Sequence, residues 1–386
     1  MSQAPRFTPL SHDRIKDRLR LPQDQPVRLL IDTDTANEID DQYALAWALL
    51  SPEHMAVEAV TAEPFSFAHH RPGLLAAEEA IESGKAYSEH LVGGFQGWIQ
   101  RLHAQGRRAA DLDFTMPDEG MELSYQEIVT IFEKMNEPHA GRVFRGAPRY
   151  MAHETDIVES EAVDTIIALA RQTDRPLYIA AMGCVTNIAS AILKAPDIRE
   201  NIVVIWTSSF PSSAPHNNRP SLNLVQDVHA SRLLFDCGVP HVYLPGYHVG
   251  AQLKISFAEM RDFVKGQSDV ADYLFHLFTH NPLHEMFAIT NREQRTWVIW
   301  DIINIAWLIN PDWVASYMTT SPVLNDELYW EKHEDRHPMR EAYDVQRDEI
   351  FLDLWQKLGT AFRSGGEDAR VGRARTDVER DGSMPC

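Results

Sequence analysis

Apolar, β-rich runs alternate along the chain with stretches of helical spacing. VRLLIDT (27–33) leads into a helix from about Asp40 to Leu50, and AVEAVTA (56–62) reads as a second strand. PLYIAAM (176–182) runs into NIASAILK, NIVVIWTSS (201–209) ends in a loop, and HVYLPG (241–246) follows the helical DVHASRLLFDCG. Strands that alternate with amphipathic helices are the signature of βαβ units. The pattern therefore predicts an α/β fold: a single large domain with an open, mostly parallel sheet flanked by helices. From about Phe67 to Pro138, two helical pieces (LLAAEEAIES and SYQEIVTIFEKM) flank a middle without strand signals, which reads as an insertion of about 67–138. Residues 364–386 lack apolar periodicity and are rich in charge and glycine, so the domain is expected to span 1–363 and to be followed by a disordered tail.

Composition narrows the function classes. The chain has 386 residues, 44% of them hydrophobic, and a formal net charge of -20. Its length suffices for a large core. The negative field and the lack of any Lys/Arg run argue against a nucleic-acid partner. Three cysteines without CxxC spacing suggest neither a disulfide framework nor a zinc site. The N-terminus has no apolar leader and no uncharged run reaches the roughly 18 residues that a membrane span requires. A cytoplasmic protein with no membrane partner is expected.

The chemistry concentrates in one turn. Five of the ten residues from Asp32 to Asp41 are acidic: Asp32, Asp34, Glu38, Asp40 and Asp41. In open α/β sheets the binding crevice lies at the carboxyl ends of the strands, where these side chains would sit. Crowded carboxylates repel one another, and a hard divalent cation with oxygen ligands is the usual remedy. Asp40 and Asp41 could instead stabilise a helix start, but that role leaves Asp32 and Asp34 unexplained.

The opening DTDTANEIDDQYAL resembles the nucleoside hydrolase family, whose first motif is an apolar strand, DxDxGxDD and an AxAL helix start. Asp32-Thr33-Asp34 also matches the DxD start of haloacid dehalogenase-like phosphatases, but the immediate DD favours the hydrolases. Further segments follow in the family's order. GRVFRGAPRYM (141–151) resembles PVYxGAxRPL, and LYIAAMGCVTNIASAI (177–192) resembles its GPLTNIAxA segment. SLNLVQDVHASRLLFDCGVPHVYLPG resembles AEFNxxxDPEAAxxVFxSGxP with its following strand, and WVIWDIINIAWLINPDW (297–313) resembles HDAxAVAxxxxP.

The resemblance implies a calcium-dependent enzyme that hydrolyses the N-glycosidic bond of a nucleoside or related ribosyl compound. It implies one Ca²⁺ held by Asp34, Asp41, Asp301 and the carbonyl of Met182. Asp34 would also accept the proton of the attacking water. Asp40 would hold the ribose 2′-OH, Asn223 would hold the sugar hydroxyls from the other side, and Asp32 would orient its neighbours. An anionic pocket of this kind suits an oxocarbenium-like ribosyl cation. Trp300 stands directly before Asp301, as in the purine-preferring branch of the family, which implies stacking on a purine. Phe65, Phe67 or Trp98 would supply the opposite wall. A homodimer or homotetramer is implied as well.

The chain also departs from the family pattern. The acidic loop is two residues longer and adds Asn37, counted with the substrate contacts, and Glu38. Glu63 or Pro64 stands where the family has the Asn of GN, and Ser221 replaces the glutamate of AEFN. His248 in GYHVG is a candidate substrate contact and leaving-group acid; His69, His70, His280 and His284 are weaker ones, and His216, Asn217 and Asn218 could take over lost sugar contacts. Two alternatives stay open: a catalytically silent ligand-binding relative, and a phosphatase with Asp32 as nucleophile.

Overall fold

Strand β1 (Val27–Thr33) is buried at every position, as a continuous apolar run requires when helices cover both faces of a parallel sheet. Around it lie β2 (Met55–Ala62), β3 (Val143–Phe144), β4 (Leu177–Ala181), β5 (Ile202–Ser208), β6 (His241–Pro245), β7 (Val314–Thr320) and β8 (Pro338–Val345). In this computed structural model, which describes residues 7–22, 24–84, 94–172 and 175–364, they form one sheet in the order β3-β2-β1-β4-β5-β6-β8-β7. Every neighbouring pair is parallel except β7 with β8. The five strands read from the sequence are present almost to the residue. β3, β7 and β8 are additions: β3 is only 2 residues long, and the outward positions of β7 and β8 are polar or only half-buried and carry no long apolar run. All but the first residue of the tail expected over 364–386 lies outside the described residues.

From β1 the chain passes outward to β2 and β3, then returns to β4 on the other side of β1. The carboxyl ends of β1 and β4 therefore flank the point where strand order reverses, which is where such sheets bind ligands. Helix α1 (Asp40–Leu49) leaves β1 there and is buried from Asp40 to Ala48. One hydrophobic cluster packs α1 with Ile302, Ile303 and Trp307 on one face of the sheet, and a second, around Ile179, Val204 and Trp206, fills the other face.

The segment read as an insertion divides in two. Helix α2 (Arg71–Ser83) and helix α3 (Gln96–Ala104) join Phe65, Phe67 and Leu283 in a third, separate cluster. Helix α4 (Pro117–Lys134) instead sends Ile128, Ile131 and Phe132 into the main core and serves as the β2-to-β3 crossover.

The GAPR turn after β3 is packed against the end of β2. A Cβ on Gly146 would overlap the Ala62 carbonyl and lie 2.6 Å from Asn187 Nδ2. Gly146→Ala is expected to cost about 1–3 kcal/mol, as overpacking does. A thermal melt reads it out, and an unchanged midpoint would contradict this packing.

Candidate functional site

The acidic turn closes on itself at the sheet's switch point. Asp34, the first residue after β1, and Asp40 and Asp41, the first two of α1, are all buried, as is Asp301 at the start of α8 (Ile302–Ile309). Oxygens of Asp40, Asp41 and Asp301 lie within 4.8 Å of one another. The cap position of α1 is Ile39, and no side-chain cap bond forms. The acids are thus not a solvated helix start.

Hydrogen bonds satisfy only part of this cluster. Asp41 Oδ1 accepts from the Thr33 hydroxyl. Asp34 Oδ2 accepts from Asn37 Nδ2 at 2.7 Å and from Gln226 Nε2 at 3.5 Å. Asp34 Oδ1, Asp40 Oδ1, Asp41 Oδ2 and Asp301 Oδ1 are buried with no partner. Burial raises the pKa of all four, and repulsion from the other acids of the cluster adds to it at Asp34, Asp41 and Asp301. Asp40 is pushed up to about 8 by burial and then by Glu38. Glu38 itself is pushed up to about 7 by burial and by Asp41. Buried carboxylates that converge at Asp40, Asp41 and Asp301, with Asp34 on the neighbouring strand end and no Lys or Arg among the pocket-lining residues, are a donor set suited to a hard divalent cation.

Behind the cluster, a ring of polar contacts locks the motif segments together. Asn187 Nδ2 donates to Asp32 Oδ1 at 3.0 Å and to the Ala62 carbonyl at 3.2 Å, while its Oδ1 accepts from Ala147 N–H at 2.8 Å. Asp32 also accepts from the Thr61 hydroxyl at 2.6 Å. Glu63 is buried beside Asp32; burial and that neighbouring charge raise its pKa, and its carboxyl oxygens accept from Asn187 N–H at 3.0 Å and from the Cys184 thiol at 3.4 Å. Asp227 accepts from Thr186, Met151 N–H and Ala230 N–H at 2.8–2.9 Å, tying three separate motifs to one carboxylate.

The pocket above the acids is lined by Asn37, Glu38, Asp40, Asp301, Met182 and Asn223, with Trp300 at its side. Asn223, on α5 (Leu222–Val225), donates through Nδ2 to the Met182 carbonyl at 2.6 Å and the Thr207 carbonyl at 3.0 Å. Both amide hydrogens are thereby engaged, leaving Asn223 Oδ1 as the atom available to a ligand. Ser221 takes part in a hydroxyl cluster, with Ser208 Oγ at 3.0 Å and Ser209 N–H at 2.9 Å. Ser209 has φ 55°, a strained conformation for a residue with a Cβ, at the pocket edge.

Several sequence candidates stand elsewhere. His248 is exposed, packs against Phe210 and His216 at ring distances of 5.4 and 5.7 Å, and does not line the pocket. Asn218 is buried in loop hydrogen bonds to Phe210 N–H and the Leu328 carbonyl. His280 stacks on His276 at the surface, and His284 packs edge-on against Trp297. Phe65 and Trp98 are core residues, whereas Phe67 lines the pocket. Phe287, Tyr247, Ser208 and Ser209 line it too and were not singled out in the sequence. Strand-end position could have flagged Ser208 and Tyr247, but nothing local marks Phe287. Gln226 was also missed; it links Asp34 to Tyr150, whose hydroxyl it accepts at 2.7 Å.

Comparison with known proteins agrees with this architecture. The profile of the family described as inosine-uridine preferring nucleoside hydrolase matches residues 29–380. Among curated proteins, no sequence matches significantly. The fold is similar to that of the purine-preferring ribonucleoside hydrolase from Gardnerella vaginalis (16% identity, TM-score 0.56, 86% of this chain and 98% of that one). It is also similar to the inosine-uridine preferring nucleoside hydrolase from Bacillus anthracis (13%, 0.52, 87% and 100%) and to an inosine-guanosine nucleoside hydrolase (15%, 0.56, 86% and 98%). At these identities the structural likeness speaks for the fold.

Proposed function

The chain belongs to the inosine-uridine preferring nucleoside hydrolase family and is an N-glycosidic hydrolase, and from that premise we propose that it cleaves purine ribonucleosides to free base and ribose with one bound Ca²⁺. The family is metal-dependent. The observation that carries the reading is the set of partnerless buried oxygens on Asp34, Asp40, Asp41 and Asp301, of which Asp40 and Asp301 line the pocket. Asp34, Asp41 and Asp301 with the Met182 carbonyl would hold the ion. When bound, it supplies the charge that offsets the acids and makes a nearby water more acidic.

The remaining chemistry belongs to the chain's own groups. Asp34 takes the proton of the attacking water as that water approaches C1′. Asp40 and the free Oδ1 of Asn223 accept from the ribose hydroxyls and fix the ring over the acids. Positive charge develops on the ring carbon and oxygen as the C1′–N bond breaks, and the anionic floor stabilises it more than it does the neutral substrate. Asp32, held by Thr61 and Asn187, orients the turn. Trp300 stacks on the leaving base with Phe67 as a second wall, which favours the larger purine ring by about 1–3 kcal/mol of stacking.

A reducing-sugar assay over purine and pyrimidine ribonucleosides, with and without chelator, tests the reading. Inosine or guanosine is expected to outrun uridine by more than about tenfold in kcat/KM, the worth of one good stacking contact. Chelation is expected to abolish the activity and added Ca²⁺ to restore it. Full activity in chelator would overturn the metal role, and equal rates on inosine and uridine would overturn the purine preference.

A further inference from the structure

Two groups of aromatic side chains reach the pocket mouth. Tyr247 and Trp300 meet edge-on at 5.7 Å. Phe67 and Phe287 come from the third hydrophobic cluster, built by the inserted helices and by α7 (Pro282–Met286), and His70 packs against that cluster and lines the pocket with them. His70 closes a short 3₁₀ turn, Ala68–His70, directly before α2. Its ring is fixed from several sides: Phe67 stacks on it at 6.3 Å, Phe95 and Trp98 meet it edge-on at 5.6 and 5.9 Å, and His69 lies 3.9 Å away. Trp98 in turn packs on Phe287 at 4.6 Å and anchors its indole N–H on the Met286 carbonyl at 2.8 Å.

Within this mouth the hydrogen-bonding capacity is unevenly distributed. Phe67 and Phe287 offer only carbon. Tyr247 commits its hydroxyl to the Pro220 carbonyl at 2.8 Å, and Trp300 has a donor but no acceptor. His69 is turned to the Ser66 carbonyl at 3.3 Å. His70, by contrast, lines the pocket with no side-chain hydrogen bond to another described residue, and its ring can both donate and accept.

We propose that His70 is the residue that reads the leaving base, its imidazole N–H donating to a ring nitrogen or carbonyl oxygen of the heterocycle. This rests on the nucleoside hydrolase reading and names a specificity-determining contact within it. As the C1′–N bond breaks, its electron pair passes to the base, whose ring nitrogens and oxygens become better acceptors. A donor already aimed at them stabilises the departing base, and the proton that finally neutralises it comes from water. Burial, and then His69, depress the pKa of His70 to about 4, so the ring is neutral at pH 7. A neutral ring fits, because an imidazolium beside a developing ribosyl cation would oppose bond cleavage.

The test compares His70→Ala, His70→Phe and His70→Asn on inosine and on 4-nitrophenyl β-D-ribofuranoside, whose leaving group is stable without help. His70→Ala and His70→Phe are expected to lose about tenfold in kcat/KM on inosine, as removal of one hydrogen bond to a group gaining charge does. Their loss on the nitrophenyl riboside is expected to be smaller by at least about fivefold. His70→Asn, which keeps a donor, is expected to recover part of the inosine rate. Calorimetric binding of free hypoxanthine is expected to weaken in His70→Ala and His70→Phe but not in His70→Asn. Equal losses on both substrates, or a His70→Phe protein as active on inosine as the unmodified one, would overturn the proposal alone. An unmodified, Ca²⁺-loaded protein silent on both substrates would overturn the hydrolase reading and this contact with it.

Discussion

Asp41→Asn is expected to lower kcat/KM for nucleoside cleavage by about a thousandfold or more while making the chelated protein more stable. The two effects have one origin. Asp41 is almost fully buried, its Oδ1 takes the Thr33 hydroxyl, and its Oδ2 has no partner. Asp34, Asp40 and Asp301 crowd the same space. Without a cation, every added negative charge there is paid in folding free energy, since buried like charges are strongly unfavourable. The amide keeps the shape of the side chain and the Thr33 contact while removing one charge, so a gain of about 1–2 kcal/mol in the metal-free state is expected. With Ca²⁺ the order reverses: the unmodified protein gains stability through ligand linkage and the variant gains little. Loss of several kcal/mol of transition-state stabilisation from a preorganised electrostatic site corresponds to the predicted rate effect. Melts with chelator and with Ca²⁺, run beside kinetics, check both parts. A variant less stable than the unmodified protein under chelation would refute the crowding argument.

That the acidic turn could be read from sequence while the pocket mouth could not has a physical reason. The turn is local: Asp32 to Asp41 follow one apolar strand and precede one helix, so chain connectivity alone puts them at a strand end. The motif segments could also be read, because each is a strand running into a turn, and the structure brings them together through Asn187 and Asp227, two buried polar side chains with several backbone partners each. The mouth is different. Phe67 and His70 reach it from one element and Phe287 from another more than 200 residues later, and only the packing of α2, α3 and α7 around Trp98 brings them together. Nothing in the spacing of either segment carries that information. His248 shows the reverse error: at a strand end by sequence, its left-handed backbone (φ 73°) directs the chain so that the imidazole faces Phe210 and solvent.

His241 is expected to contribute a loss of stability as pH falls from about 6.5 to 4, and His241→Phe is expected to remove that contribution. His241 lies on β6 with both ring nitrogens buried and without partners, among Phe235, Tyr243 and Trp206 at ring distances of 4.9, 5.9 and 6.4 Å. Burial, and then the nearby His337, depress its pKa to about 3. His337 is half-buried and is depressed to about 4, by burial and then by Arg336, His12 and Arg199. The ordinary histidine value is 6.5, so the unfolded chain binds protons below that pH while the folded chain excludes them until about pH 3–4. A group whose folded pKa is depressed in this way contributes stability that is fully present above 6.5 and is lost as pH falls. Each unit of difference is worth about 1.4 kcal/mol, so His241 alone accounts for several kcal/mol by pH 4, and the wetter His337 for less. The buried carboxylates act in the opposite sense, because their raised pKa values make protonation easier in the folded state. Comparing His241→Phe with the unmodified protein at each pH, both in chelator, cancels that contribution and leaves the histidine term. The phenyl ring fits the aromatic surroundings and does not titrate, so the variant is expected to match the unmodified midpoint within a few degrees at pH 7.5 and to exceed it clearly at pH 4.5. Parallel melting curves across that range would show that His241 finds a partner for its proton and that the acid sensitivity arises elsewhere.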